Sequence, residues 1–116
     1  MTSLPPSFDD VWASVADVQG WLTEGQAQAL YEAAAACPAG GTIVEIGSFQ
    51  GRSTIVLAAA APPDATVIAI DPHAGNDRGP QELDGFAREA ASDHEMFLSN
   101  LQAAGVADRV THLRMF

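Results

Sequence analysis

The chain has 116 residues, 47% of them hydrophobic and 17% charged, and carries a formal charge of -10 from five arginines, no lysine and fifteen acids. That length allows one domain, against the usual ~100–200 residues per domain, and the composition is that of a folded protein rather than a disordered one. So acidic a balance repels phosphate backbones and anionic lipid, which argues against nucleic-acid or membrane-surface binding. Genomic composition, with alanine and arginine in place of lysine, is the competing source of the same imbalance.

The single cysteine, Cys37, excludes an internal disulfide, and no Cys/His spacing points to zinc, so no metal site is expected. The opening "MTSLPPSFDD" lacks the basic and apolar regions of a secretory signal. The longest strongly apolar run, "TIVLAAAA", falls far short of the ~20 residues a bilayer requires. By elimination the expected setting is soluble and cytoplasmic.

In chain order, residues 1–22 give weak signals and read as a surface arm, with a short helix across "FDDVWASVADV". A domain is expected over 23–116. "TEGQAQALYEAAAAC" is a helix capped by Thr23 and stopped at Pro38. "TIVEIG" is a buried strand rich in β-branched residues, and "RSTIVLAAAA" is a helix closed by Pro62 and Pro63. "TVIAID" is a second strand. The polar stretch after it is too long for an ordinary connection, and its second half predicts a helix over 81–91. Ser92 and Glu95 form a capping-box pattern that starts a further helix, ended by Gly105. "RVTHLRMF" alternates apolar and polar residues as a third strand.

Alternating strands and helices predict an α/β fold with a parallel sheet and right-handed crossovers. Ligands of such sheets bind beyond the carboxyl ends of the strands, which places the turns after Gly47 and Asp71 beside one cleft. In the first turn, "EIGSFQGRST", glycines allow close backbone approach, and the helix start offers free N–H groups to an anion. A dinucleotide fingerprint would place glycines at 47, 49 and 52, where this chain has Gly47, Phe49 and Arg52. The NAD reading is therefore weak, and a phosphate loop fails for want of its lysine and its spacing. Asp71, at the end of the second strand, is placed to accept both hydroxyls of a ribose. Singly, Glu45 reads as a strand acid facing a solvated gap and Asp71 as a turn cap before proline; their occurrence on neighbouring strands points to a ligand.

The runs "VEIGSFQGRST", "VIAIDPH" and "NLQAAGVADRV" together resemble class I S-adenosylmethionine-dependent methyltransferases, nearest the small-molecule O-methyltransferase-like branch. The resemblance covers about residues 23–116. It implies a Rossmann-like sheet, with Gly47, Ser48, Phe49 and Gly51 under the methionine part of S-adenosyl-L-methionine. It further implies that Glu45 supports that loop or meets the amino group, that Ser53 and nearby backbone face the carboxylate, and that Asp71 binds the ribose. His73 would border the adenosine or act as a base, a plain loop histidine being the alternative. Arg52 would hold an acid or the cofactor carboxylate, or stay solvated at the helix start. Asp77, Arg78, Glu82 and Asp84 form a lid or a solvated loop. His94 and His112 read as a helix-start and a strand residue, and Trp12 and Trp21 as packing of the N-terminal segment on the sheet, with the lining of a substrate pocket as the alternative.

The family's sheet has seven strands in the order 3-2-1-4-5-7-6, and this chain supplies the first three, in the order 3-2-1. The expected activity is O-methylation of a small molecule such as a sugar or natural product, present as the cofactor-binding half. The alternative is a non-catalytic remnant or interaction module that keeps the fold. The first strand would be left with an unpaired apolar edge, an arrangement proteins usually avoid, which predicts completion by the rest of a longer chain or by a homo-oligomer. Catalytic residues and the methyl acceptor are not legible in these motifs.

Overall fold

The computed structural model describes residues 6–71 and 83–115, the side chains of 83–91 excepted. Three parallel strands, β1 (Thr42–Ile46), β2 (Thr66–Ile70) and β3 (Val110–Leu113), lie in the order β1-β2-β3. This is the predicted neighbour order, and β1 forms one edge among the described residues. Four helices accompany them: α1 (Phe8–Ser14), α2 (Glu24–Ala35), α3 (Arg52–Ala60) and α4 (Leu83–Ala103). A 3-10 turn at Ala107–Arg109 leads into β3.

Strand register fixes which side chains face the helices. Glu45, Ala69 and His112 share one row across the sheet, as do Ile43, Val67 and Val110. Val67 and Ala69 are buried in the main core with Ile55 and Val56 of α3 and Phe97 and Leu101 of α4. The alternate rows turn the other way, where Val44 is 54% and Ile46 82% exposed. The helices therefore cover one face of the sheet, the face that carries Glu45.

The local signals for α2 act as predicted. Thr23 accepts from the Gln26 backbone N–H while the Gln26 side chain accepts from the Thr23 N–H, a complete capping box. Gly105 takes a left-handed φ of 75° just past α4. Two expectations are overturned. The predicted start of a new helix at Ser92 does not occur, because α4 runs through it from Leu83 to Ala103. No proline or glycine interrupts residues 86–104, so continuing the helical hydrogen bonds wins over a cap that would break them. Residues 81 and 82 of the predicted helix lie outside the described residues, as does most of the predicted lid.

Nor do residues 1–22 form a surface arm where they are described. Val11, Val15 and Val18 are buried in the main core, and the Tyr31 hydroxyl donates to the Pro6 carbonyl at 2.6 Å. Trp12 stacks on Phe8 at 6.3 Å. The segment's weak sequence signal reflects a short helix held by tertiary contacts rather than by propensity.

Gly51, at the N-cap of α3, takes φ 93°, and a Cβ there would stand 3.3 Å from Cδ1 of Phe97. The conformation thus favours glycine, and a side chain there would also press on the Phe97 ring. Gly51→Ala is expected to destabilise the protein by about 1–3 kcal/mol, read from urea unfolding. No helix among the described residues is long and apolar enough to cross a membrane.

Candidate functional site

The site lies at the carboxyl ends of β1 and β2. Gly47 N–H still bonds to the Ile70 carbonyl at 2.8 Å, after which the chain turns away from the sheet. Gly47, Phe49 and Gly51 all take left-handed φ, at 86°, 47° and 93°. Phe49 is the non-glycine residue among them, in a conformation that costs free energy unless held. Its N–H donates to Oδ2 of Asp71 at 2.8 Å. The glycine missing from position 49 is therefore replaced by a bond from the next strand.

Glu45 reaches the first turn of α3. The hydroxyls of Ser53 and Thr54 both donate to its carboxylate. The Gly51 N-cap has no side chain to offer, so Glu45 supplies the negative end that a helix N-terminus favours. Burial pushes the Glu45 pKa up; the two hydroxyl bonds pull it back, and the nearby Asp71 charge raises it further. The two acids thus share one electrostatic neighbourhood.

Behind the loop a buried polar set ties it to α4. The Gln50 amide donates to Oδ1 of Asp93 at 3.1 Å, and the Asn100 amide donates to the Gln50 carbonyl at 2.9 Å. On the other side of Asp71, His112 of β3 meets the His94 ring at 5.5 Å and the Phe97 ring at 4.6 Å. Burial holds the His112 pKa below its ordinary value, with His94 adding to the effect. His94, expected at a helix start, lies inside α4.

A cleft of about 450 Å³ opens above the loop, lined by Glu45, Gly47, Ser48, Phe49 and Ser53 from the sheet side and by Gln19–Leu22 opposite. Of the predicted site residues, five line this cleft, Ser48 among them as a buried residue. Asp71 joins through its bond to Phe49. Gly51 is turned toward Phe97, which gives it a packing role. His73 lies outside the described residues.

A family model described as a methyltransferase domain matches residues 44–115. The chain belongs to that methyltransferase domain family. The O-methyltransferase TomG of Streptomyces achromogenes, involved in tomaymycin synthesis and solved with SAM, aligns at 23% identity and a TM-score of 0.58, covering 97% of this chain and 44% of that one. An O-methyltransferase from Bacillus cereus, solved with SAH, aligns at 19% identity and a TM-score of 0.58, covering 93% and 44%. At these identities the likeness establishes the fold, and the chain spans less than half the length of either structure. No curated protein matches it.

In this methyltransferase domain two residues depart from their expected roles. Among the described residues no acid meets Arg52, and its side chain is half-buried. Its guanidinium donates to the carbonyls of Val15 at 2.7 Å, Val18 at 2.8 Å and Leu22 at 3.3 Å, and stacks 4.7 Å from the Trp12 ring centre. It clamps the N-terminal segment to the start of α3. Trp21 does not pack into the core; it is 83% exposed and leans on Phe49, with ring centres 5.3 Å apart. Arg109, unremarked in the sequence, closes the other end of α3 through the Ala58, Ala61 and Pro62 carbonyls. Among the described residues no group of three or more His, Cys, Asp or Glu side chains is placed to hold a metal.

Proposed function

We propose that the chain is the cofactor-binding half of a cytoplasmic S-adenosylmethionine-dependent O-methyltransferase acting on a small molecule such as a sugar or natural product. The observation that carries this reading is the pairing of Glu45 and Asp71, two acids from neighbouring strand ends set around one glycine turn and electrostatically coupled. Mutual repulsion between carboxylates is relieved by a cation, and the ligand proposed here carries an ammonium and a sulfonium. The fit is one of chemistry: acids for the cationic centres and the ribose hydroxyls, and a turn with backbone open to approach. A Cβ on Gly47 would meet nothing within 4 Å, so that turn borders open space.

In this reading Asp71 takes the ribose hydroxyls, Glu45 supports the loop or meets the amino group, and Gly47, Ser48 and Phe49 form the bed, with Gly51 packed against Phe97 behind it. Ser53 keeps Glu45 in place and leaves the backbone of the helix start for the carboxylate. His73 borders the adenosine. Residues 23–116 make up the cofactor-binding unit, with 1–22 joined to it by Arg52. Bound S-adenosylmethionine supplies a methyl group already activated by the sulfonium, so the protein's task is alignment.

Calorimetric titration of the full chain with S-adenosylhomocysteine tests this reading, and its pH dependence tests Glu45. Burial holds the Glu45 pKa above 4.5, so the stability gained from its protonation is present below pH 4.5 and lost as pH rises through the folded value. A ligand cation needs the carboxylate, so affinity should climb as pH rises through that value and then level off. Glu45→Gln should flatten this dependence and weaken binding about tenfold, the size of one charge-assisted hydrogen bond. Absence of binding by the wild-type protein at any pH would leave the interaction-module reading instead.

A further inference from the structure

The turn after β1 is closed by the Gly51 N–H, which donates to the Ser48 carbonyl at 2.8 Å, so Phe49 and Gln50 are its two central residues. Phe49 takes its left-handed φ of 47° at the first central position, a place such turns usually give to glycine. Each central residue is pinned by a carboxylate from a different element. Asp71, just past β2, holds the Phe49 N–H at 2.8 Å, and Asp93 of α4 holds the Gln50 amide at 3.1 Å.

α4 meets this turn at three points along one face. Asp93 takes the Gln50 amide, the Phe97 ring stands against Gly51, and the Asn100 amide donates to the Gln50 carbonyl. Spacings of four and three residues bring these side chains to one side of the helix. Gln50 and Asp93 are each 7% exposed, and neither is among the described residues that line the cleft. Anything they contribute to a ligand is therefore indirect.

Stability alone is a poor reason for such a pair. A carboxylate buried beside a neutral amide bears a desolvation cost that an apolar side chain would not, and Asp93 shares its helix with Phe97 and Leu101 of the core. What the carboxylate supplies is direction. An ionised carboxylate only accepts, so the Gln50 amide must turn its N–H donors toward α4. With the Asn100 bond, Gln50 is held at both its side chain and its main chain.

Resting on the cofactor reading, we propose that Asp93 is a positioning residue for the cofactor turn and acts through Gln50. α4 is then the template on which Ser48 and Phe49 take their binding shape. The test is calorimetric titration of the full chain with S-adenosylhomocysteine, paired with urea unfolding and amide hydrogen exchange of the free protein. Asp93→Leu should weaken binding about tenfold, the lower end for a hydrogen bond to a charged group, while the urea midpoint stays at or above wild type. Asp93→Asn keeps an acceptor oxygen and should lose no more than about threefold. In the free Asp93→Leu protein the Gly51 amide should exchange about tenfold faster, with the amides of β2 unchanged. Added to Gln50→Leu, Asp93→Leu should cost less than about twofold more, because the two residues act as one unit.

An Asp93→Leu affinity matching wild type would overturn the proposal. So would a loss of affinity accompanied by an equal loss of stability, unchanged Gly51 exchange, or full additivity with Gln50→Leu. Failure of wild type to bind S-adenosylhomocysteine is a different outcome and strikes the cofactor reading. The Gly51 exchange rates, measured without ligand, would then decide by themselves between a turn held by Asp93 and one held by other contacts.

Discussion

Asp71→Ala is expected to weaken S-adenosylhomocysteine binding about 100-fold, because the change removes two things at once. One is the acceptor proposed for the ribose, where charge-assisted hydrogen bonds contribute about 1.5–3 kcal/mol each. The other is the bond that holds Phe49 at a φ of 47°. Without it the Phe49 N–H loses its partner and the loop is free to leave the left-handed region, at a cost of about 1–3 kcal/mol. Asp71→Asn separates the two effects, since an amide oxygen still accepts from Phe49 while the charge is gone. Calorimetry should place Asn between wild type and Ala, with urea unfolding close to wild type. Binding by Asp71→Ala equal to wild type would remove this residue from the site.

Arg52→Ala is expected to have the largest effect on stability, a loss of about 2–4 kcal/mol in urea unfolding of the full chain. Three carbonyls lose a charged donor, and the Trp12 ring loses the guanidinium packed against it. The value stays below a simple sum of three bonds because Arg52 is only half-buried, so water replaces part of what is lost. Arg52→Lys should recover little, since an ammonium lacks the planar fork that reaches several carbonyls from one position. The alanine variant should also become more sensitive to proteolysis around residues 16–22 than the wild type. Wild-type stability together with wild-type protease resistance would show that the segment is held by other contacts.

Sequence reasoning reaches the local elements and stops at contacts that depend on the fold. "TIVEI" and "TVIAI" announce β1 and β2 because β-branched runs between glycine and proline signals have few other uses, and the Thr23 cap and Gly105 stop are local chemistry. Glu45 and Asp71 were legible for a related reason: an acid at a buried strand end is costly without a purpose. The partners of Arg52 were not, because they depend on where a weakly patterned segment returns in space, 30 to 37 residues away along the chain. A separation of 43 residues likewise hides the bond from Gln50 to Asp93, which links the loop to α4. Ser92 and Glu95 show the opposite failure, a local signal that is real in type and overruled by the length of an uninterrupted helix.

The hydrogen bonds of the Arg52 clamp run to main-chain oxygens, and every residue type has one. The wall of the cleft is therefore seated by atoms that mutation leaves in place, while its side chains remain free to change. Replacing Trp21, or Gln19 near it, would alter the shape of the cleft without unseating the segment. Such a wall is retunable one residue at a time on a scaffold already anchored.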